Sequence, residues 1–271
     1  MYTDTAIATV PAWHTMNKYA QFFATKFGWV RAHPMRTKGD AHHALQLMAQ
    51  RNGVPSKMIM DNSFEQTLGE FRRKCQRMGT QIRRTEKFSP WQNACEGAIR
   101  EVKRGATRKA AKARSPARLW DHLLELEAYI RSNTALNIYE LNGQTPETLV
   151  SGQTSDISPF CELQWYTWVW HWDSTSGFPE PKEQLGRWLG PAIDIGPAMS
   201  AKILKKNGLV AYTASYRPLS ADELQNPDLK KELSEFSASI RRKVGGPSVG
   251  CLLYTSPSPR DGATSRMPSS A

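Results

Sequence analysis

The chain has 271 residues, 39% of them hydrophobic, which suffices for one large domain or two small ones around a packed core. No run approaches the ~18 consecutive apolar residues of a membrane span, and the start, Met1-Tyr2-Thr3-Asp4, lacks the basic-then-apolar order of a secretory signal, so no membrane partner is expected and an intracellular, non-secreted protein is. Four cysteines (Cys75, Cys95, Cys161 and Cys251) stand apart with no paired spacing, which argues against a disulfide framework or a zinc ribbon.

Residues 1–36 read as three strands: 2–10, 19–27 and 30–33, the last ended by Pro34. Residues 38–51 carry Ala41, Ala44, Leu45 and Met48 at helical spacing, and Gly53 and Pro55 stop that helix. A short apolar run at 57–60 fits a buried strand bounded by Asp61-Asn62-Ser63. A helix over 65–78 follows, closed by Gly79, then a fifth strand at 81–85. After the loop Phe88-Ser89-Pro90-Trp91 come two helices, 92–114 and 116–134, the second opening at Ser115-Pro116. Three strands, helix, strand, helix, strand, then helices make a layered α/β domain over 1–140.

Residues 141–161 are rich in Gly, Pro, Ser and Thr and read as a connector. Residues 162–219 hold five of the nine tryptophans among Gly and Pro turns. Strands at 163–172, 185–189, 201–204 and 209–215 predict a small β-barrel there. Residues 220–250 form a charged linker, helical over 221–243. Residues 251–271 resemble the conceptual translation of a sequencing adapter. They are expected to be an artefactual or disordered tail and to carry no fold information.

The net charge of +11 is uneven. Between Arg72 and Arg118 lie fifteen basic residues against three acids, a local +12, so the remainder nets −1. Such concentration points to a polyanion partner, against the plainer reading of a solvated basic face.

Three carboxylates stand where a metal site needs them. Asp4 falls inside the first strand, where aspartate is disfavoured. Asp61 ends a short apolar strand, and Glu96 lies near the start of a long helix, with 34 residues between the two. Singly, each has an ordinary explanation: a frayed terminus, a turn, a helix N-terminus that favours an acid. On the helix, Glu96, Arg100, Lys103 and Arg104 fall at i, i+4, i+7 and i+8, so one face offers a carboxylate beside three cations. The neighbouring stripe of Cys95, Ile99, Val102 and Ala106 would pack on the sheet.

Tyr2-Thr3-Asp4-Thr5, Asp61-Asn62 and Ser89-Pro90-Trp91-Gln92-Asn93-Ala94-Cys95-Glu96 resemble the integrase catalytic core of retroelements, nearest to copia-type retrotransposon polyproteins. The stretch from Leu185-Gly186-Arg187-Trp188-Leu189-Gly190 to Arg217-Pro218-Leu219 is similar to the β-barrel that follows that core. The family's Asn-Gly step is missing: Asn93 is followed by Ala94-Cys95 and then Glu96, a loop one residue short. No His-His-Cys-Cys zinc module is recognised, and His42-His43 read as solvated.

The resemblance implies an RNase H-like core with a five-stranded mixed sheet. It implies that Asp4, Asp61 and Glu96 hold Mg²⁺ or Mn²⁺, two ions, with no organic cofactor. DNA would be the partner and a homo-oligomer the working form. Arg100, Lys103 and Arg104 would grip phosphates, while Gln92, Asn93 and Trp91 would line the site on the DNA side. The implied activity is trimming of retroelement 3′ ends and their transfer into target DNA, in the nucleus or a cytoplasmic particle. The alternative is an inactive nucleic-acid-binding remnant of such a polyprotein.

Overall fold

The computed structural model describes residues 1–60, 69–84, 94–173, 177–179, 181–193, 195, 199–246 and 253–255. The chain opens with three antiparallel strands, β1 (Tyr2–Ala8), β2 (Tyr19–Ala24) and β3 (Val30–Met35). Pro34 does not end the third strand as expected: it lies within β3, opposite Ala20. Because β3 is the outermost strand of the sheet, a residue without an N–H is tolerated there.

A 3₁₀ turn at Lys38–Asp40 leads into α1 (Ala41–Asn52), which buries Ala41, Ala44, Leu45 and Met48, the residues whose spacing predicts it. β4 (Lys57–Met60) then runs parallel to β1, with Tyr2 opposite Ile59 and Thr3 opposite Met60. After α2 (Glu70–Arg77), β5 (Gln81–Arg84) pairs parallel with β4. The result is a mixed sheet in the order β3-β2-β1-β4-β5.

Strand periodicity divides the core into two faces. Ala20, Phe22 and Ala24 of β2 turn to one side, and Phe23 turns to the other, where it joins Met48, Met58 and Phe71 under α1 and α2. The first side is covered by α3 (Ala94–Ala113), whose stripe of Cys95, Ala98, Ile99, Val102, Ala106 and Ala110 is buried, as the spacing predicts. Each such Phe, Met or Ile contributes roughly 1.5–3 kcal/mol by leaving water. The next helix, α4 (Trp120–Asn133), begins later than the expected 116, because Ala117–Leu119 form a 3₁₀ turn after Pro116.

Two short helices, α5 (Pro146–Ser151) and α6 (Ser158–Cys161), lie in the stretch read as a plain connector. Thr145 caps α5 by accepting the Thr148 N–H at 3.2 Å, with Pro146 at the first position.

A second sheet follows, of β6 (Trp168–Trp172), β7 (Glu183–Pro191), β8 (Ala201–Lys205), β9 (Val210–Thr213) and β10 (Tyr216–Pro218). It is antiparallel throughout, in the order β10-β6-β7-β8-β9. The predicted 163–172 and 185–189 shift by a few residues, and β10 was not expected. The charged 221–243 stretch is two helices, α7 (Ala221–Gln225) and α8 (Pro227–Lys243), interrupted at Asn226-Pro227. A last strand, β11 (Leu253–Thr255), pairs antiparallel with Ala6–Ala8 of β1. No helix among the described residues is long and apolar enough to cross a membrane.

The two sheets share one core. Ala6, Phe22 and Val30 of the first belong to the same buried cluster as Val169, Trp188 and Ile203 of the second, with α4 between them. Gly190 of β7, whose φ of 109° favours glycine, faces Leu126 of α4, where a Cβ would meet the leucine at 3.5 Å, an ordinary packing distance. Lys202 of β8 pairs with Glu125 of α4 at 2.8 Å, and Trp165 Nε1 donates to Ser115 Oγ at 2.9 Å.

Candidate functional site

On β1, Asp4 alternates with Ala6 and Ala8, which are buried in the cluster that contains the α3 stripe. Alternation therefore places Asp4 on the α3 face of the sheet. It is partly buried, and its Oδ1 accepts the Thr5 N–H at 2.7 Å. On the opposite face, Thr3 and Thr5 bond to Gln21 instead, through Gln21 Nε2 to Thr3 Oγ1 at 2.6 Å and Thr5 Oγ1 to Gln21 Oε1 at 2.7 Å. That network satisfies the buried amide of Gln21 and keeps the threonines off the Asp4 side.

Cys95 reports where Glu96 stands relative to Asp4. Its thiol is fully buried, 3.7 Å from the Phe22 carbonyl, and hydrogen-bonds with the Asp4 backbone. Burial pushes the thiol well above its ordinary pKa, and the charges of Asp4 and of Glu96 push it the same way. Phe22 is the residue opposite Asp4 in the sheet, so its contact with Cys95 seats the start of α3 beside that strand position. Glu96 itself is exposed and lies in the first turn, where the helix dipole favours an acid.

Asp61 lies outside the described residues, as do Trp91, Gln92 and Asn93. The residue before Asp61, Met60, pairs with Thr3, the residue before Asp4. Among the described residues no group of three or more His, Cys, Asp or Glu is placed to hold a metal ion. The donors that Asp4 and Glu96 offer are oxygens, which fit hard divalent cations. His42 and His43 stack with centroids 3.9 Å apart, and His42 Nδ1 donates to Gly39 O at 2.7 Å, away from any carboxylate cluster.

Beyond Glu96 the outer face of α3 is cationic. Arg100, Arg104 and Arg108 are exposed and Lys103 is half-buried. Arg104 reaches Glu101 at 3.8 Å on open surface, a pair of little energetic weight.

No family model matches the chain, and no curated protein matches it. Among solved structures it is similar to the catalytic core domain of BIV integrase, with 15% identity, 55% of this chain and 92% of that chain covered, and a TM-score of 0.39. A likeness of that extent assigns neither a family nor an activity to this chain.

Two features of the structure escaped sequence reasoning. The first is a clamp: buried Arg31 donates to Glu147 at 2.5 Å, Trp29 Nε1 donates to the same carboxylate at 2.9 Å, and the guanidinium lies 4.1 Å from the Tyr129 ring centre. The second is a groove of about 510 Å³ between the far end of α3, α4, α6, the segment 163–167 that precedes β6, and the middle of β7. Trp165 and Tyr166 form its floor, with Phe160 and Cys161 beside them. Arg187 enters from β7, held by its Nη1 bond to Tyr166 O at 2.7 Å and stacked 3.3 Å from the Trp168 ring centre. Burial lowers its pKa to about 10, opposed by the nearby Tyr166, so it stays charged at neutral pH. Local sequence hints at neither, because each joins residues far apart in the chain.

Proposed function

We propose that this chain is the catalytic part of a retroelement integrase, trimming 3′ ends of DNA and joining them to target DNA. Asp4, Asp61 and Glu96 would hold two Mg²⁺ or Mn²⁺ ions. When bound, such ions activate the attacking oxygen and stabilise the leaving one. The observation that carries this reading is the seating of Cys95, the residue before Glu96, 3.7 Å from the carbonyl of Phe22, the residue opposite Asp4 in the sheet. The Met60–Thr3 pairing supports Asp61 as the third member.

On this reading the first sheet is an RNase H-like integrase core. The parallel neighbours β1 and β4 would carry the two aspartates, and α3 would deliver the glutamate. The second sheet would be the small β-barrel that follows the core in copia-type polyproteins. The residues of the chain bind and orient. Arg100, Lys103 and Arg104 would contact DNA phosphates, giving salt-dependent affinity with little sequence reading. Gln92, Asn93 and Trp91 are assigned to the same DNA path from sequence alone. The working form would be a homo-oligomer, in the nucleus or a cytoplasmic particle.

The test is Glu96→Gln, which keeps size and hydrogen bonding but removes the charge. Metal-dependent strand transfer should fall to background while DNA affinity in EDTA changes less than about threefold, since one phosphate-facing charge is worth little in binding. Transfer retained in that variant would refute the catalytic assignment. DNA binding by the native chain with no metal-dependent joining would instead identify an inactive remnant.

A further inference from the structure

We propose that the groove between α3 and the second sheet binds an unpaired nucleotide of the DNA strand, with its base against Trp165, Tyr166 and Phe160 and its phosphate on Lys112 and Arg187. This assignment rests on the reading of the chain as a DNA-acting protein but not on its catalytic carboxylates.

The groove's volume falls in the range of small-ligand sites. Its lining has the two halves of a nucleotide: apolar rings for a base and cations for a phosphate. Lys109, Lys112 and Arg187 line it, and no carboxylate does. Lys109 is engaged by Glu127 from α4, which leaves Lys112, exposed in the last turn of α3, as the cation facing an arriving anion. Arg187 carries its charge into the lining between the Tyr166 and Trp168 rings. A neutral apolar ligand would leave that cation and Lys112 unanswered.

Position strengthens the assignment. Arg100, Arg104, Arg108 and Lys112 recur every four residues along α3, a cationic row that starts beside Glu96 and, drifting about 40° per step, winds partway round the helix. At ~1.5 Å per residue the row spans roughly 24 Å from Glu96 to Lys112. A strand whose phosphates follow it passes from the carboxylates to the groove. A smaller cavity of about 290 Å³ is lined by Asp121 and by Glu125 ion-paired with Lys202, and lacks such a set of rings and cations.

Cys161 supplies the readout. It is exposed at the groove, whereas Cys75 and Cys95 are buried. The probe is a single-stranded 12-nucleotide DNA and its fully abasic counterpart, in EDTA so that no metal chemistry intervenes. Alkylation of Cys161 is followed by peptide mapping, with the bound fraction set by fluorescence anisotropy. At saturation the 12-mer should slow Cys161 alkylation by about fivefold or more. The abasic strand, equally saturating, should slow it less than about twofold, since only stacked bases cover the groove. Lys112→Glu should abolish the protection and lower the salt dependence of binding by about one phosphate contact, while Lys231→Glu, on the exposed side of α8, should do neither. Saturating binding with Cys161 reacting at its free rate overturns the groove and leaves the DNA reading standing. Equal protection by the abasic strand overturns base recognition there. Absence of binding by either strand at low salt overturns both readings. The comparison of the two strands uses the native chain, so it stands whether or not the variants fold.

Discussion

The clamp around Arg31 is the most exacting arrangement of single residues. Its side chain is 3% exposed and that of Glu147 16%, so neither charge has water to fall back on. Removing one partner of such a pair strands the other, which costs about 3–5 kcal/mol. Glu147→Ala should therefore lower the urea-unfolding free energy by that order, and Glu147→Gln, which can still accept from Arg31 and Trp29, by clearly less. Equal losses would show that the charge contributes nothing beyond shape. His33 gives a second residue-level expectation. Burial is the main cause that lowers its pKa to about 4; Glu125 opposes this, while Arg51 and Arg31 add to it. The unfolded chain, near 6.5, thus binds a proton that the folded chain refuses between those values. Stability is full above about pH 6.5 and falls as pH drops toward 4, by roughly 3 kcal/mol for this group. The urea midpoint should drop between pH 7 and pH 4.5, and His33→Gln should flatten the drop. An unchanged slope in that variant would show that other groups set it.

Among the elements, α3 carries both the candidate chemistry and an unusual contact. A Cβ at Gly105 would lie 1.9 Å from Glu127 Oε1, so the glycine seats the carboxylate that α4 extends to Lys109. Gly105→Ala should gain about 1 kcal/mol of helix propensity and lose most of it by dislodging Glu127. A thermal-unfolding change within about 0.5 kcal/mol of zero is expected; recovery of the full propensity gain would mean that Glu127 moves without cost. The apolar stripe of α3 and the Glu96-Arg100-Lys103-Arg104 face were legible in sequence because both are set by helical period alone. So were α1 and β4. Pro34 misled because an edge position, invisible locally, excuses a missing donor. The 3₁₀ turn after Pro116 and the short helices around Thr145 and Ser158 depend on capping and packing, which periodicity does not encode. Of the candidate site, Asp4 was legible only through its neighbours; that it shares a face with Glu96 depends on strand alternation and the seating of Cys95. The groove was not legible at all, since α3, α6 and β7 meet only after folding.

Across the whole molecule, charge and core are organised on different plans. The net positive charge is concentrated between Arg72 and Arg118, whereas the apolar core runs without a break through both sheets. DNA affinity should accordingly fall steeply with salt. If four cations of the α3 row each meet a phosphate, the slope of log K against log salt should be near −3 to −4. A slope near zero would remove the α3 face from the DNA path.

The seating of α4 between the two sheets bears on how the chain must be made. Nine of its fourteen residues are buried, some under β3, which precedes it, and Leu126 against β7, which follows it. During synthesis strands β1 to β5 of the first sheet are complete once residue 84 has left the ribosome. The cover for the other flank, residues 183–205, emerges only after α4 itself. At ~5–20 residues per second, that flank waits several seconds with Leu126 uncovered and Glu125 without Lys202. A chain halted near residue 160 would keep that flank permanently bare, so it should aggregate or be captured by chaperones where the longer chain does not.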